Sequence, residues 1–321
     1  MKIRLLASVS LLLFTASTSL PLRGLQPETP VPAQRPPALT ESLNRAYQLI
    51  GDGKFKEARA ELEQSQALAG GPCGECLLGM AHVYASEKDW KRTKETLEQA
   101  IPLLKSPGLQ ARAYNQLGTA LFQSKAFHSK KEAEDAFRTA ASKGGAWGML
   151  ARYNLAELQL VTERWEEAAE TARTYLKEAG PDGAARDQAR IVLCQARSHL
   201  KDDPPTVANP SSDTRKVEGE VTRPEILFQQ RPVYTEQARM AKTTGIVILE
   251  AIIDKEGCVR SMRPLQELGN GLTEAAMTAV QQWVFKPATL QGEPVRVFYV
   301  LTVNFQVQAS PPPAQLPGTV P

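Results

Sequence analysis

The 321-residue chain is poor in histidine and in cysteine. Its three histidines, His82, His128 and His199, stand far apart, so a His-rich metal centre is not expected. No HExxH, GxSxG, Walker A or GxGxxG pattern occurs, and nothing in the chain calls for a cofactor. Charge of one sign is also lacking. The formal net charge is +3, with 23 basic against 21 acidic residues in 38–201 and 10 against 10 in 216–308. Neither stretch carries the basic footprint that phosphate binding needs, so no nucleic-acid partner is expected. A non-enzymatic chain fits these absences. The 42% hydrophobic and 23% charged content is that of an ordinary globular protein, and the length suits about two domains.

The first 20 residues, MKIRLLASVSLLLFTASTSL, join a short basic start, an apolar stretch from Leu5 to Phe14 and a run of small residues. This is the pattern of a secretory signal peptide, with an uncleaved anchor as the alternative. Either places the rest of the chain outside the cytoplasm: in the periplasm of a double-membrane bacterium, or anchored to the inner membrane and facing the periplasm. Membrane contact is expected only if the segment stays uncleaved. Fourteen of the 23 prolines fall in 21–37, 202–215 and 309–321, which read as a linker, an interdomain linker and a disordered tail. Two globular blocks remain, 38–201 and 216–308.

The first block repeats. The small residues Ala46, Ala81, Gly118 and Ala156 lie 35, 37 and 38 residues apart. A second small position follows each: Ala58, Thr93, Ala133 and Ala168. Phe55, Trp90 and Trp165 mark the turns between paired helices. A period near 34 with small residues where helices touch resembles a tetratricopeptide (TPR) array. Helix pairs are expected at 40–68, 75–104, 109–142 and 148–178, with a capping helix at 183–200. Polar residues on the first helices, Asn44, Tyr47, Asn115, Asn154 and Glu157, are candidates to line a peptide-binding groove.

The second block changes period. Residues 245–253 and 295–307 alternate as half-buried strands, and Asp254–Gly257 is a turn leading to a return strand at 258–263. Helices are expected at 235–241 and 272–283. The fold class is therefore an all-α TPR array followed by a small α+β domain, an antiparallel three-stranded sheet with two helices on one face. The ordered residues Pro232, Tyr234, Gly245, Asp254, Gly257, Leu272, Trp283, Phe285, Pro287 and Phe305 resemble the TonB C-terminal domain over about 90 residues.

That resemblance implies an envelope protein of the energy-transducer type, which supports transport across the outer membrane by binding partner proteins or peptides, outer-membrane receptors among them. It implies that the last strand receives a partner as an added strand. Arg296, Phe298, Val300, Thr302 and Asn304 on its outward row, with Arg231, Pro232 and Tyr234 in the preceding loop, are the candidate contacts. Two departures stand out. Thr235 follows Tyr234 where the family carries proline, and residues 1–20 lack the polar histidine that motor engagement resembles. An adaptor is therefore expected rather than a proton-driven lever. The alternatives are an assembly scaffold unrelated to transport and a thiol oxidoreductase using Cys73 and Cys76.

Cys73-Gly-Glu-Cys76 opens a helix with no following histidine and no strand before it. A local disulfide, or two packed thiols, is the expected state. Cys194 is expected in the core of the capping helix and Cys258 exposed after the turn. A bond between them would join the domains, but nothing in the sequence calls for one.

Overall fold

The computed structural model describes residues 36–124, 129–180, 183, 185–200, 207 and 210–306. The expected signal segment 1–20, most of the 21–37 linker and the 309–321 tail lie outside the described residues, as does part of 202–215. No helix among the described residues is long and apolar enough to cross a membrane. The chain divides into two compact units, 1–158 with 182–184, and 159–181 with 185–321.

The first unit is built of helix pairs: α1 (Pro37–Gly51) with α2 (Phe55–Ala69), α3 (Gly74–Ser86) with α4 (Trp90–Ala100), α5 (Pro107–Gln123) with α6 (Ser129–Ser142), then α7 (Gly145–Val161). Local chemistry sets the ends. Pro37 and Pro107 begin α1 and α5, where no amide partner is needed. The Asp89 carboxylate caps α4 by accepting from the Arg92 amide at 3.0 Å, and left-handed Gly70 ends α2. The small positions are where the helices meet: Ala46, Ala58, Ala81, Ala133 and Ala156 are fully buried. At Gly118 a Cβ would stand 2.6 Å from the buried Phe137 ring. Gly118→Val is therefore expected to lose about 1–3 kcal/mol by overpacking, read as a lower urea midpoint at unchanged slope.

The second unit holds α8 (Trp165–Glu178), α9 (Arg186–Ser198), β1 (Glu225–Phe228), α10 (Glu236–Ala241), β2 (Gly245–Ile253), β3 (Val259–Gln266), α11 (Leu272–Val280), β4 (Val284–Lys286), β5 (Thr289–Leu290), β6 (Glu293–Pro294) and β7 (Val297–Phe305). The central sheet runs β3-β2-β7, antiparallel throughout. Val247, Leu249, Ala251 and Ile253 on β2 share a core with Val297, Leu301, Val303 and Phe305 on β7 and with Leu272, Ala276 and Val280 on α11. Two small pairings were not expected: β1 with β4, and the hairpin β5–β6. Their strands are two to four residues long, too short to show an alternation. They also shorten the expected elements. Val295 bonds back to Ala288 instead of opening β7, and α11 stops at Val280.

Gly257 is required at its turn. Its φ is +92°, and a Cβ there would lie 1.8 Å from the Phe285 carbonyl oxygen. The carbonyl of Gly257 accepts from the Phe285 amide at 2.9 Å, so the turn is bolted to β4.

The expectation for Cys258 is corrected. Cys258 is 2% exposed and disulfide-bonded to Cys194 of α9. The two sulfurs sit in an apolar cluster with Val284, Ile191, Leu227 and Phe228. Charges surround it. Arg197 donates to Asp254 at 3.0 Å and also pairs with Glu256, while Arg190 donates to the Glu256 carbonyl at 2.9 Å. Helix α8 joins α9 through Trp165, stacked on His199 with ring centroids 4.0 Å apart, and through the Tyr175 hydroxyl, which accepts from the Ala185 amide. A covalent bond and the Arg197–Asp254 ion pair hold α9 to the sheet that follows it.

Candidate functional site

Strand β7 is an edge of the central sheet. In an antiparallel ladder alternate residues aim both main-chain groups away from the partner strand. On β7 that row is Phe298, Val300, Thr302 and Asn304, in line with Arg296 just before it. At one end the row is occupied: Arg215 pairs in parallel with Val297, its amide donating to the Arg296 carbonyl and its carbonyl accepting from the Phe298 amide, both at 2.9 Å. Beyond Phe298 no main-chain partner meets this edge among the described residues. Val300 is 54% exposed, and Thr302 and Asn304 are exposed beside it.

The loop before α10 lies at the other end of β7. Tyr234 packs edge-on against Phe305 at 6.1 Å and donates its hydroxyl to the Thr243 carbonyl. Trp283 donates its indole N–H to the Gln230 carbonyl at 2.9 Å, so the turn between α11 and β4 fixes the start of this loop. Thr235 caps α10, accepting from the Ala238 amide at 3.1 Å and donating to the Asn270 carbonyl. Its hydroxyl gives the substituted position a structural use that proline would not have. Arg231 is exposed and Pro232 half-buried. The structure thus brings the β7 candidates into one row and sets Tyr234 at its far end, with no contact shown among the described residues between β7 and Arg231 or Pro232. Arg296 is already engaged: it donates to Asp213 at 2.8 Å and to the Ser211 hydroxyl.

Residues 230–307 match the family of the Gram-negative bacterial TonB protein C-terminal.

The family matched is one of Gram-negative envelope domains, and in this chain the matched region follows an array of paired helices. Among solved structures, the array is similar to YrrB, described as a TPR protein with an unusual peptide-binding site. The two are 17% identical, with a TM-score of 0.39, over 49% of this chain and 75% of that one. It is also similar to a putative kinesin light chain from Podosopora anserina with nearly identical TPR-like repeats, at 16% identity and a TM-score of 0.41, over 51% of this chain and 87% of that one. No curated protein matches the chain.

In the helical array, two of the groove candidates meet. Asn154 donates its side-chain amide to Asn115 at 2.8 Å, and both are buried. The sequence reading missed Arg112 of α5. Its guanidinium lies 4.9 Å from the Tyr47 ring centroid and 5.2 Å from that of Trp147, which draws α1, α5 and α7 together. Beside it, Gln116 bonds His82 at 3.1 Å. Burial, and then the Arg112 charge, pulls His82 down to about 4, so it is neutral at physiological pH. Burial alone pushes Glu157 up to about 7. Asn44 is exposed on α1, and no hydrogen bond joins it to the asparagine pair. The only trace of Arg112 in the sequence is an arginine between small residues on a first helix, a place where a solvated charge is equally common.

Cys73 and Cys76 are disulfide-bonded at the start of α3, and both are buried. Among the described residues no group of histidine, cysteine and carboxylate side chains is placed to hold a metal ion.

Proposed function

We propose that this chain is a non-enzymatic periplasmic protein of the energy-transducer TonB type, which binds partner proteins in support of outer-membrane transport. The partner adds a strand to β7, touching Phe298, Val300, Thr302 and Asn304, with Arg231, Pro232 and Tyr234 at the far end of the track. The TPR-like groove, with Tyr47, Asn115, Asn154, Glu157 and Arg112, takes a second segment. The observation that carries the reading is the bare main-chain edge of β7 inside a region matching the TonB C-terminal family.

The test follows from the direction of the edge amides. Proline is tolerated where a strand amide faces solvent, so Thr302→Pro removes a donor offered to a partner while leaving the β2–β7 ladder in place. A photo-crosslinker at Val300 is expected to capture a partner polypeptide in intact cells, and Thr302→Pro to abolish that adduct with the circular dichroism unchanged. A crosslinker at the exposed Glu274 of α11 is the control. Equal capture at Val300 and Glu274, or capture unaffected by the proline, would overturn the reading.

A further inference from the structure

The open edge of β7 has a tenant at its upstream end, supplied by the same chain. Residues Ser211–Arg215 come from the Pro-rich segment that the sequence marks as a linker. Residues 211–214 close a turn, the Thr214 amide donating to the Ser211 carbonyl at 2.9 Å, and Arg215 then pairs with β7 through two 2.9 Å main-chain bonds. The segment is also held by its side chains. Asp213 accepts from Arg296 at 2.8 Å and from Lys255 at 3.1 Å, and the Ser211 hydroxyl donates to Asp213 at 2.6 Å. The Ser211 hydroxyl first, and then Lys255, hold the Asp213 carboxyl down at about 2, so it is charged at any pH the protein meets.

We infer that Arg215, presented by the turn at 211–214, stands in the slot where a partner strand would pair, so that a partner can use the whole β7 edge only by displacing it.

Three features of the contact support this. The pairing is main-chain to main-chain in the same row of amides and carbonyls that is bare further along, so tenant and partner compete for identical groups. The tenant covers only the Arg296–Phe298 end and leaves Val300 to Asn304 open. A partner can therefore land on the bare stretch and advance along the strand. The fit is also imperfect. The Arg296 Nε is buried with no hydrogen-bond partner, and both charged contacts of Asp213 are half-exposed and screened by salt. This inference rests on β7 being the partner edge, but it predicts a competition that can be measured without knowing the partner.

The probe is a fluorescein-labelled peptide with the sequence of residues 210–217, added to the full chain. Tethered segments act at effective concentrations near millimolar, so in the wild type the peptide meets an occupied slot. Arg215→Pro removes the amide bonded to the Arg296 carbonyl. Asp213→Ala removes the ion pairs and leaves the backbone able to pair, so it serves if the proline variant misfolds. In either variant the peptide is expected to bind at least about tenfold more tightly than to wild type. The Phe298 amide is expected to exchange with deuterium at least about tenfold faster, with the Leu301 and Val303 amides unchanged. Unchanged Phe298 exchange would show that the segment does not hold the edge. Equal peptide affinity for wild type and variants, or no binding to either variant, would show that it does not compete for it. Each of these results overturns the inference. Failure of crosslinking at Val300 in cells, with the exchange and peptide results as expected, would instead remove the foreign partner and leave the self-pairing intact.

Discussion

Replacing both Cys194 and Cys258 by serine is expected to destabilise the C-terminal unit by about 4 kcal/mol, the entropy of closing a loop across their separation of 64 residues. The bond ties a helix from before the Pro-rich segment to the β2–β3 turn after it. Without it the unfolded chain regains the freedom of everything between. The folded unit keeps its other ties, since Ile191, Leu227, Phe228 and Val284 still pack there and Arg190 still reaches the Glu256 carbonyl. The variant should therefore fold and melt early rather than fail outright. Removing Cys73 and Cys76 gives the internal comparison, because their separation is 3 residues and the same scaling yields about 2 kcal/mol. Urea unfolding of the two double variants, with and without reductant on the wild type, measures both. Equal losses would mean that the long loop is already restrained in the unfolded chain.

Asp254→Ala is expected to cost about 3–5 kcal/mol, as large as the loss of the long disulfide. Asp254 is 4% exposed. One carboxylate oxygen accepts from the amides of Glu256 and Cys258, both at 3.0 Å, and so shapes the turn that carries Gly257 and Cys258. The other meets Arg197 at 3.0 Å and Arg260 at 3.7 Å. Burial pushes this carboxyl upward, and Glu256 adds to that, while the two arginines and the Cys258 amide pull it down. Alanine would take one acceptor from Arg197 and from Arg260 and leave the Glu256 and Cys258 amides without the one they share. The side-chain carbonyl of an Asp254→Asn variant would still accept from the turn amides. That variant keeps the turn but sets a side-chain NH2, a donor, against Arg197 and Arg260, so its loss should be smaller than alanine's only by the two retained turn bonds, about 1–3 kcal/mol. Thermal melts of the two variants separate these contributions. A loss near zero for alanine would show that solvent reaches the arginines once the carboxylate is gone.

Much of the architecture is legible in the sequence because its cause is periodic. Small residues recur every 35 to 38 positions because paired helices must approach closely, and Ala46, Ala81 and Ala156 are fully buried as that requires. The β7 alternation likewise follows from one face being core. What is not periodic stays hidden. Strands β1 and β4 are too short to alternate. The Cys194–Cys258 bond joins residues whose nearness depends on tertiary packing, and Cys258 looked exposed because the turn was read without the helix that covers it. The row Phe298 to Asn304 was readable from alternation alone. That its upstream end is filled by Arg215 was not, because one residue pairing from a Pro-rich stretch leaves no pattern. Arg112 was missed for a similar reason: its meaning lies in Tyr47 and Trp147, which come from other helices.

The long disulfide also fixes how tension would travel. A pull applied along β7 passes back through the chain to Cys258 and then crosses directly to Cys194 and α9. The covalent path through that bond bypasses residues 195–257, which join the pull only through the hydrogen bonds of β2 and Arg215 to β7. Reduction would leave the main chain as the sole covalent route from Cys258 to α9.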